Sequence, residues 1–220
     1  MKIVLAGGGR VGALLAARLM QERHAVTVVE RDRAACERLF EELGVLTVAG
    51  DATDPRALQD AGLRGADIAI GVLARDADNL AFASLARAMS DARIMVRMLD
   101  DAYRDAYRLA GVRELVAEAD LVVGRMATAI EFPQIQGSLP LPGGDAIVFE
   151  LSIGPRALVN SKTVAQVRAD ERFPRDCVFI GFADAQGGIE LPTGTSVLRA
   201  GQVAIVVARR AQLAAAVAFL

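Results

Sequence analysis

The stretch KIVLAGGGRVGALLAARLM (residues 2–20) decides the fold, and its centre, AGGGRVG (6–12), decides where chemistry is to be sought. KIVLA (2–6) is short and apolar with β-branched residues, and VGALLAARLM (11–20) carries apolar residues at helical spacing, so the order is strand, turn, helix. Gly7, Gly9 and Gly12 satisfy G-x-G-x-x-G at that turn. In a nucleotide loop the first glycine permits the tight turn, the second lets backbone approach a pyrophosphate, and the third lets helix pack closely on strand. The helix N-terminus adds unpaired N–H groups and a positive dipole for the phosphates. Arg10 and Val11 complete the loop. A pyrophosphate is neutralised adequately by the helix end alone. An arginine inside the loop can fork onto a further or exposed phosphate, so the loop suits NAD or a nucleoside di- or triphosphate, with a solvated first-turn arginine as the bland alternative.

Outward from the loop, AVTVVE (25–30) is a second strand, DRAACERLFEEL (32–43) a helix stopped by Gly44, and VLTVAG (45–50) a third strand. Glu30 ends the second strand 18 positions after Gly12, where a carboxylate accepts from the hydroxyls of an adenosine ribose. It also repels a 2′-phosphate and so favours NAD over NADP, a preference that Arg31 directly behind it weakens. GDATD (50–54) follows the third strand at the carboxyl edge, where open α/β sheets bind ligands. Asp51 and Thr53, flanking Ala52, could meet the adenine and its ribose; Asp54 before Pro55 also reads as an N-cap. The alternation continues with helix 55–62, strand 66–73, helix 77–89 opened by Asp78 and Asn79 as candidate caps, strand 93–99, helix 102–111, strand 114–118 and helix 120–132. Arg97 ends the fifth strand and faces either a phosphate or a surface ion-pair partner. Short apolar strands alternating with helices predict a Rossmann-like, doubly wound parallel sheet in an α/β protein.

PQIQGSLPLPGG (133–144) carries three of the chain's seven prolines and no charge, and reads as a linker. Beyond it the periodicity changes. AIVFELSI, CVFIGFAD, a QGG turn (186–188), GIELP and QVAIVVA are closely spaced strands, bounded by helices TVAQVRA (163–169) and RAQLAAAVAF (210–219). The expected organisation is therefore a nucleotide-binding domain at 1–132, a linker at 133–145, and a smaller α+β C-terminal domain at 146–220.

The composition narrows the partners. In 220 residues, 53% are hydrophobic, 24% are charged and the formal net charge is -2, which argues against a nucleic-acid surface. Mean hydropathy is +0.34, yet charged residues interrupt every apolar run before the ~18 residues a spanning helix needs. The N-terminus lacks the regions of a signal peptide, and a cytoplasmic chain is expected. Cys36 and Cys177 have no companions and read as buried small hydrophobes, His24 as a turn residue, and no ligand set for a metal stands out.

Taken together, AGGGRVG, the acidic end of the second strand, GDATD, ADNL at the next helix and the C-terminal LVNSKTVAQV…CVFIGFADAQGGIELPTGTSVLRAGQVAIVVA resemble the regulator of potassium conductance proteins, the Trk/Ktr-type potassium-uptake regulatory subunits. A departure is Gly201-Gln202, where relatives often carry Gly-Asp. The resemblance implies a Rossmann-like half that binds NAD(H) or ATP/ADP, and a C-terminal half that in some members takes an effector such as cyclic di-AMP; here Arg156, Asn160 and Lys162 stand where one could bind. It implies that Gly7, Gly9, Arg10 and Gly12 hold phosphates, Glu30 the ribose, and Asp51 with Thr53 the adenosine. It further implies self-association as dimers and rings beneath an integral-membrane potassium transporter subunit, peripheral to the inner face of the membrane, with no catalysis. The alternative class is an NAD-dependent oxidoreductase. Such an enzyme needs a proton donor, but Lys2 and Lys162 are the only lysines, Tyr-x-x-x-Lys is missing, and the Tyr103/Tyr107 spacing reads as packing.

Overall fold

The computed structural model describes residues 1–141, 143–184, 186 and 188–220; Pro142 of the expected linker and Gly187 of the expected QGG turn lie outside the described residues. The chain divides into two compact units, Met1–Ala119 and Asp120–Leu220.

In the first unit, strands and helices alternate: β1 (Lys2–Ala6), α1 (Arg10–Gln21), β2 (Ala25–Glu30), α2 (Arg33–Leu43), β3 (Leu46–Ala49), α3 (Pro55–Asp60), β4 (Ile68–Gly71), α4 (Asp76–Met89), β5 (Arg93–Met98), α5 (Arg104–Leu109) and β6 (Glu114–Ala117). The strands form one sheet in the order β3-β2-β1-β4-β5-β6, every pair parallel. Parallel neighbours need crossovers, so both faces are covered, and neighbouring residues of β1 serve opposite cores. Ile3 and Leu5 pack with Val26, Val28 and Leu39 on one face. Val4 and Ala6 pack with Leu58, Phe82 and Ile94 on the other. Leu5, Leu58 and Phe82 are fully buried, each worth about 1.5–3 kcal/mol relative to an exposed side chain.

Local chemistry sets the helix ends. Asp32 caps α2 by accepting from the Ala34 N–H at 2.9 Å, and Gly44 ends it in the left-handed region at φ 67°. Asp54 caps α3 by accepting from the Arg56 N–H at 2.9 Å with Pro55 at the first helical position, so of its two readings the cap is realised. In α4, Asn79, Phe82, Ala83 and Ala86 are buried at spacings of three and four, which makes this helix core material. After β1 the chain builds outward through β2 and β3, then returns to lay β4 on the other side of β1. The strand order reverses there, opening a crevice at the carboxyl ends of β1 and β4.

The second unit takes in most of α6 (Glu118–Glu131), followed by β7 (Ile135–Pro140), β8 (Ala146–Ser152), α7 (Val164–Ala169), β9 (Cys177–Ala183), β10 (Ile189–Glu190), β11 (Val203–Arg209) and α8 (Leu213–Phe219). Its sheet, in the order β10-β9-β11-β8-β7, is antiparallel throughout. The segment expected to be a linker thus contains a strand. β7 pairs with β8 at the sheet edge, where proline does no harm because one side of the strand needs no partner. Ile147, Phe149 and Leu151 of β8 join Cys177, Phe179 and Phe182 of β9 in the core. Phe173 stacks on Phe179 with ring centroids 5.4 Å apart. α7 opens with a capping box between Thr163 and Gln166. On α6, by contrast, Val123, Met126 and Ile130 are exposed and Thr128 is buried.

Candidate functional site

The crevice is a cleft of about 470 Å³ whose floor is the glycine loop. Gly7 takes φ 106°, a region closed to most side chains, and its N–H donates to the Val29 carbonyl at 2.9 Å. A Cβ on Gly12 would stand 1.9 Å from the Gly7 carbonyl oxygen, so only glycine lets α1 approach the loop this closely. Nothing lies within 4 Å of the place a Gly9 Cβ would take, and that side of the loop is open. Gly9 is the N-cap of α1, with no side-chain cap and no acidic residue in the first turn. The first-turn N–H groups therefore keep both their hydrogen-bonding capacity and the positive helix-end potential for an anion.

Glu30 is fixed before any ligand arrives. Its Oε2 accepts from the Gly8 N–H at 2.7 Å and its Oε1 from the Asp32 N–H at 3.0 Å. Each oxygen retains capacity for a second donor, such as a ribose hydroxyl. Gly8 itself stands outside the G-x-G-x-x-G pattern, and sequence reasoning missed it. A Cβ there would come within 2.8 Å of Leu39 Cδ1 and 3.1 Å of the Glu30 side chain, so a larger residue would press on the Glu30 anchor. Asp51 Oδ1 accepts from both the N–H and the hydroxyl of Thr53, at 2.8 and 2.7 Å. Those two bonds, with Arg31 nearby, hold its carboxyl below the usual range. The Asp51 charge is thus secure, and its second oxygen is left for a ligand.

Of the expected residues, Gly7, Gly9, Arg10, Val11, Glu30, Arg31, Asp51, Ala52 and Arg97 line this one cleft. Gly12 and Thr53 do not line it; Gly12 supports the loop from behind and Thr53 holds Asp51. Arg97 makes the ion pair that was one of its two alternatives, from a side chain that also lines the cleft. Nη1 pairs with Glu118 Oε2 at 3.0 Å, while Nη2 donates to the carbonyls of Val72 and Leu73 at 3.0 and 2.9 Å.

The far wall of the cleft went unread in the sequence. Val72, Leu73, Ala74, Arg75 and Asp78 form it. α4 begins at Asp76, so Asp78 lies in its first turn and Asn79 one turn inside, and neither is its cap. Asn79 is fully buried, accepting from the Leu73 N–H at 2.9 Å and donating to the carbonyls of Leu73 and Arg97 at 3.2 Å. Asp76, 6% exposed, accepts from the N–H groups of Leu99 and Asp100 and, at 2.8 Å, from the Tyr107 hydroxyl. Burial first, then the hydrogen bond and charge of Asp76, push the Tyr107 phenol well above its ordinary range. The signal for these residues was a polar D-x-x-N at the start of a helix, a pattern caps share.

In the second unit Asn160 ties its own loop together, donating to the Pro155 carbonyl at 3.1 Å and accepting from the Ala200 N–H at 3.0 Å. Lys162 approaches Asp170 at 3.8 Å, and Arg156 lines a separate recess of about 330 Å³ with Ser152 and Leu220. The three residues do not converge on one cavity. No group of acidic, histidine or cysteine side chains able to hold a metal occurs among the described residues. No helix among them is long and apolar enough to cross a membrane.

The model of the TrkA-N domain family matches residues 3–118. A curated relative, the Trk system potassium uptake protein TrkA homolog of Methanothermobacter thermautotrophicus, is 27% identical over 91% of this chain and 90% of its own length. Among solved structures, the GsuK RCK domain superposes with a TM-score of 0.67 at 21% identity, covering 99% of this chain and 47% of that one. The GsuK channel bound to NAD superposes with a TM-score of 0.70, also at 21% identity, over 99% of this chain and 39% of that one. The chain thus spans less than half the length of either solved chain.

Proposed function

The chain belongs to the TrkA-N domain family, and from that premise we propose that it is a nucleotide-sensing regulatory subunit of a potassium-uptake system, acting without catalysis on an integral-membrane transporter. The potassium part of this reading rests on the relatives, which match nearly end to end under the name of Trk potassium uptake proteins. The nucleotide part rests on one observation: a bare helix N-terminus and an open glycine face meet a carboxylate already fixed by backbone N–H groups, in a single cleft. Phosphates would lie against Gly7, Gly9, Arg10 and Val11, with Gly12 supporting the loop from behind, the ribose against Glu30 beside Arg31, and the adenosine against Asp51 and Ala52, with Thr53 holding Asp51 in place. NAD(H) and ATP/ADP both fit that donor set, since both carry an adenosine joined to a diphosphate.

The nucleotide supplies negative charge to the loop, and the protein's response is conformational. The first unit carries the sensing domain, and the second, which takes in β7 and most of α6, is the candidate for a second effector such as cyclic di-AMP. Self-association as dimers and a ring would use exposed apolar surface such as Val123, Met126 and Ile130 on α6. The site of action is the cytoplasmic face of the membrane. Among the described residues no Tyr, Lys or His lines the cleft to serve as the proton donor of a hydride transfer.

Thermal unfolding with NAD, NADH, NADPH, ATP, ADP or cyclic di-AMP at equal concentration tests this reading. A ligand of the native state at 100 times its Kd adds about 2.7 kcal/mol. A midpoint raised by an adenosine nucleotide and not raised in Glu30→Ala is expected. No shift with any of them overturns the sensor reading.

A further inference from the structure

Arg97 Nε is buried without a hydrogen-bond partner, the one such side-chain nitrogen or oxygen among the described residues. Orphaned buried donors are costly and rare enough to require a reason. The rest of the guanidinium is committed. Nη2 donates to the Val72 and Leu73 carbonyls, and Nη1 is held by Glu118, the first residue of α6. The Arg97 side chain is 17% exposed, and the surface it does present lines the nucleotide cleft. One cation is thus shared between the cleft, the chain just past β4 and the start of the helix that leads out of the first unit.

Its place along the cleft matters. Glu30 stands at the end of β2 and Arg97 near the end of β5, with β1 and β4 between them. Three strand spacings separate them, about 14 Å. An adenosine anchored on Glu30 with its phosphates on the glycine loop, at the end of β1, stops short of Arg97. A dinucleotide lying across the point of strand reversal carries its second nucleoside into the β4/β5 half, where Arg97 and Arg75 stand.

We propose that Arg97 is the residue by which the cleft distinguishes a dinucleotide from an adenosine mono- or diphosphate, and that its ion pair with Glu118 passes the distinction to the amino end of α6. The inference rests on the nucleotide reading above. With the β4/β5 half empty, Arg97 is held by Glu118 and by two carbonyls, and its Nε is unsatisfied. With an acceptor in that half, the guanidinium can turn toward the cleft, satisfy more of its five donors and loosen the Glu118 pair. The two arrangements compete for one cation, so a ligand shifts the balance only by its different affinity for each, and a ligand that never reaches Arg97 shifts nothing.

The test is calorimetric titration of NAD and of ADP into the wild-type chain, Arg97→Gln and Glu118→Gln, with hydrogen exchange of amides 119–125 followed in parallel. Loss of a hydrogen bond from a charged donor predicts about tenfold weaker NAD binding in Arg97→Gln, with ADP changed less than about twofold. Retained ADP binding also reports that the variant is folded. In Glu118→Gln, NAD should bind as tightly as in the wild type or tighter, and ADP equally. NAD but not ADP should speed exchange at 119–125 in the wild type, and that response should vanish in Glu118→Gln. Equal but partial losses for NAD and ADP in Arg97→Gln, or no NAD-dependent exchange in α6 of the wild type, overturn the inference while leaving the nucleotide reading intact. If Arg97→Gln binds neither, the Glu118→Gln arm decides alone. If the wild-type chain binds neither nucleotide, the nucleotide reading falls and this inference falls with it.

Discussion

Gly9 and Gly12 are the same residue three positions apart, and the fold uses them in opposite ways. Gly12 is closed by protein, since its Cβ would meet the Gly7 carbonyl oxygen at 1.9 Å, whereas Gly9 borders open space. Gly12→Ala should therefore destabilise the chain by at least about 2 kcal/mol in urea unfolding, because a backbone atom cannot step aside as a flexible side chain can. Gly9→Ala, at an ordinary φ of -65°, should cost less than about 1 kcal/mol yet, on the proposed nucleotide reading, weaken nucleotide binding about tenfold, since its methyl would occupy the open face proposed for phosphate. Calorimetry and unfolding on both variants check the pair; equal effects on stability would show that the loop is not built as described. Glu30 carries the same lesson. Its position was legible from spacing, but its two backbone donors were not, because Gly8 and Asp32 reach it only through the turn after β1 and the bend after β2.

At the level of elements, the amino end of α4 joins three parts of the first unit. Asp76 receives the N–H groups of Leu99 and Asp100 after β5, and the hydroxyl of Tyr107 on α5. Tyr107→Phe removes a buried hydrogen bond to a charged acceptor and should cost about 1.5–3 kcal/mol near neutral pH. The pH dependence has a definite sign. The folded phenol titrates above its ordinary value, so the unfolded chain loses its proton first, near pH 10. The Tyr107 contribution is complete below about pH 10 and declines as pH rises from there toward the folded value. Unfolding of the wild type and Tyr107→Phe should thus differ by a constant amount from pH 6 to 9, and by less above about pH 10. A difference that grows with alkalinity would contradict the assignment. β7 illustrates the opposite problem, an element hidden by its composition. Three prolines and no charge resemble a linker, yet the backbone pairs along β8 and buries Ile135 in the core.

The molecule as a whole has two units, each with its own core and one buried cysteine. Burial pushes the Cys177 thiol up to about 11, and burial followed by the Glu30 charge raises Cys36 as well. The thiolate is the reactive form, so neither thiol should react quickly with an alkylating reagent at pH 8 until its unit opens. Mass spectrometry of labelled protein across a urea gradient then follows each unit separately. A nucleotide bound in the first unit should move Cys36 labelling to higher urea by mass action. Cys177 labelling should move less. Protection of Cys177 alone would assign the nucleotide to the second unit.

The sequence by itself determined what is local and periodic: the alternation of strands and helices, the glycine loop, the acid at the end of the second strand, and the change to closely spaced strands beyond it. Each is written within a few residues, because strand and helix periods and turn chemistry are short-range properties. Tertiary structure decided what depends on residues far apart in the chain. It made Asn79 a buried anchor rather than a cap, set the buried Asp76 beside it, added a far wall to the cleft, and tied Arg97 to Glu118 across 21 positions. A cap and a buried anchor use the same side chains, and only the packing of β4 against β5 determines which backbone groups lie within their reach.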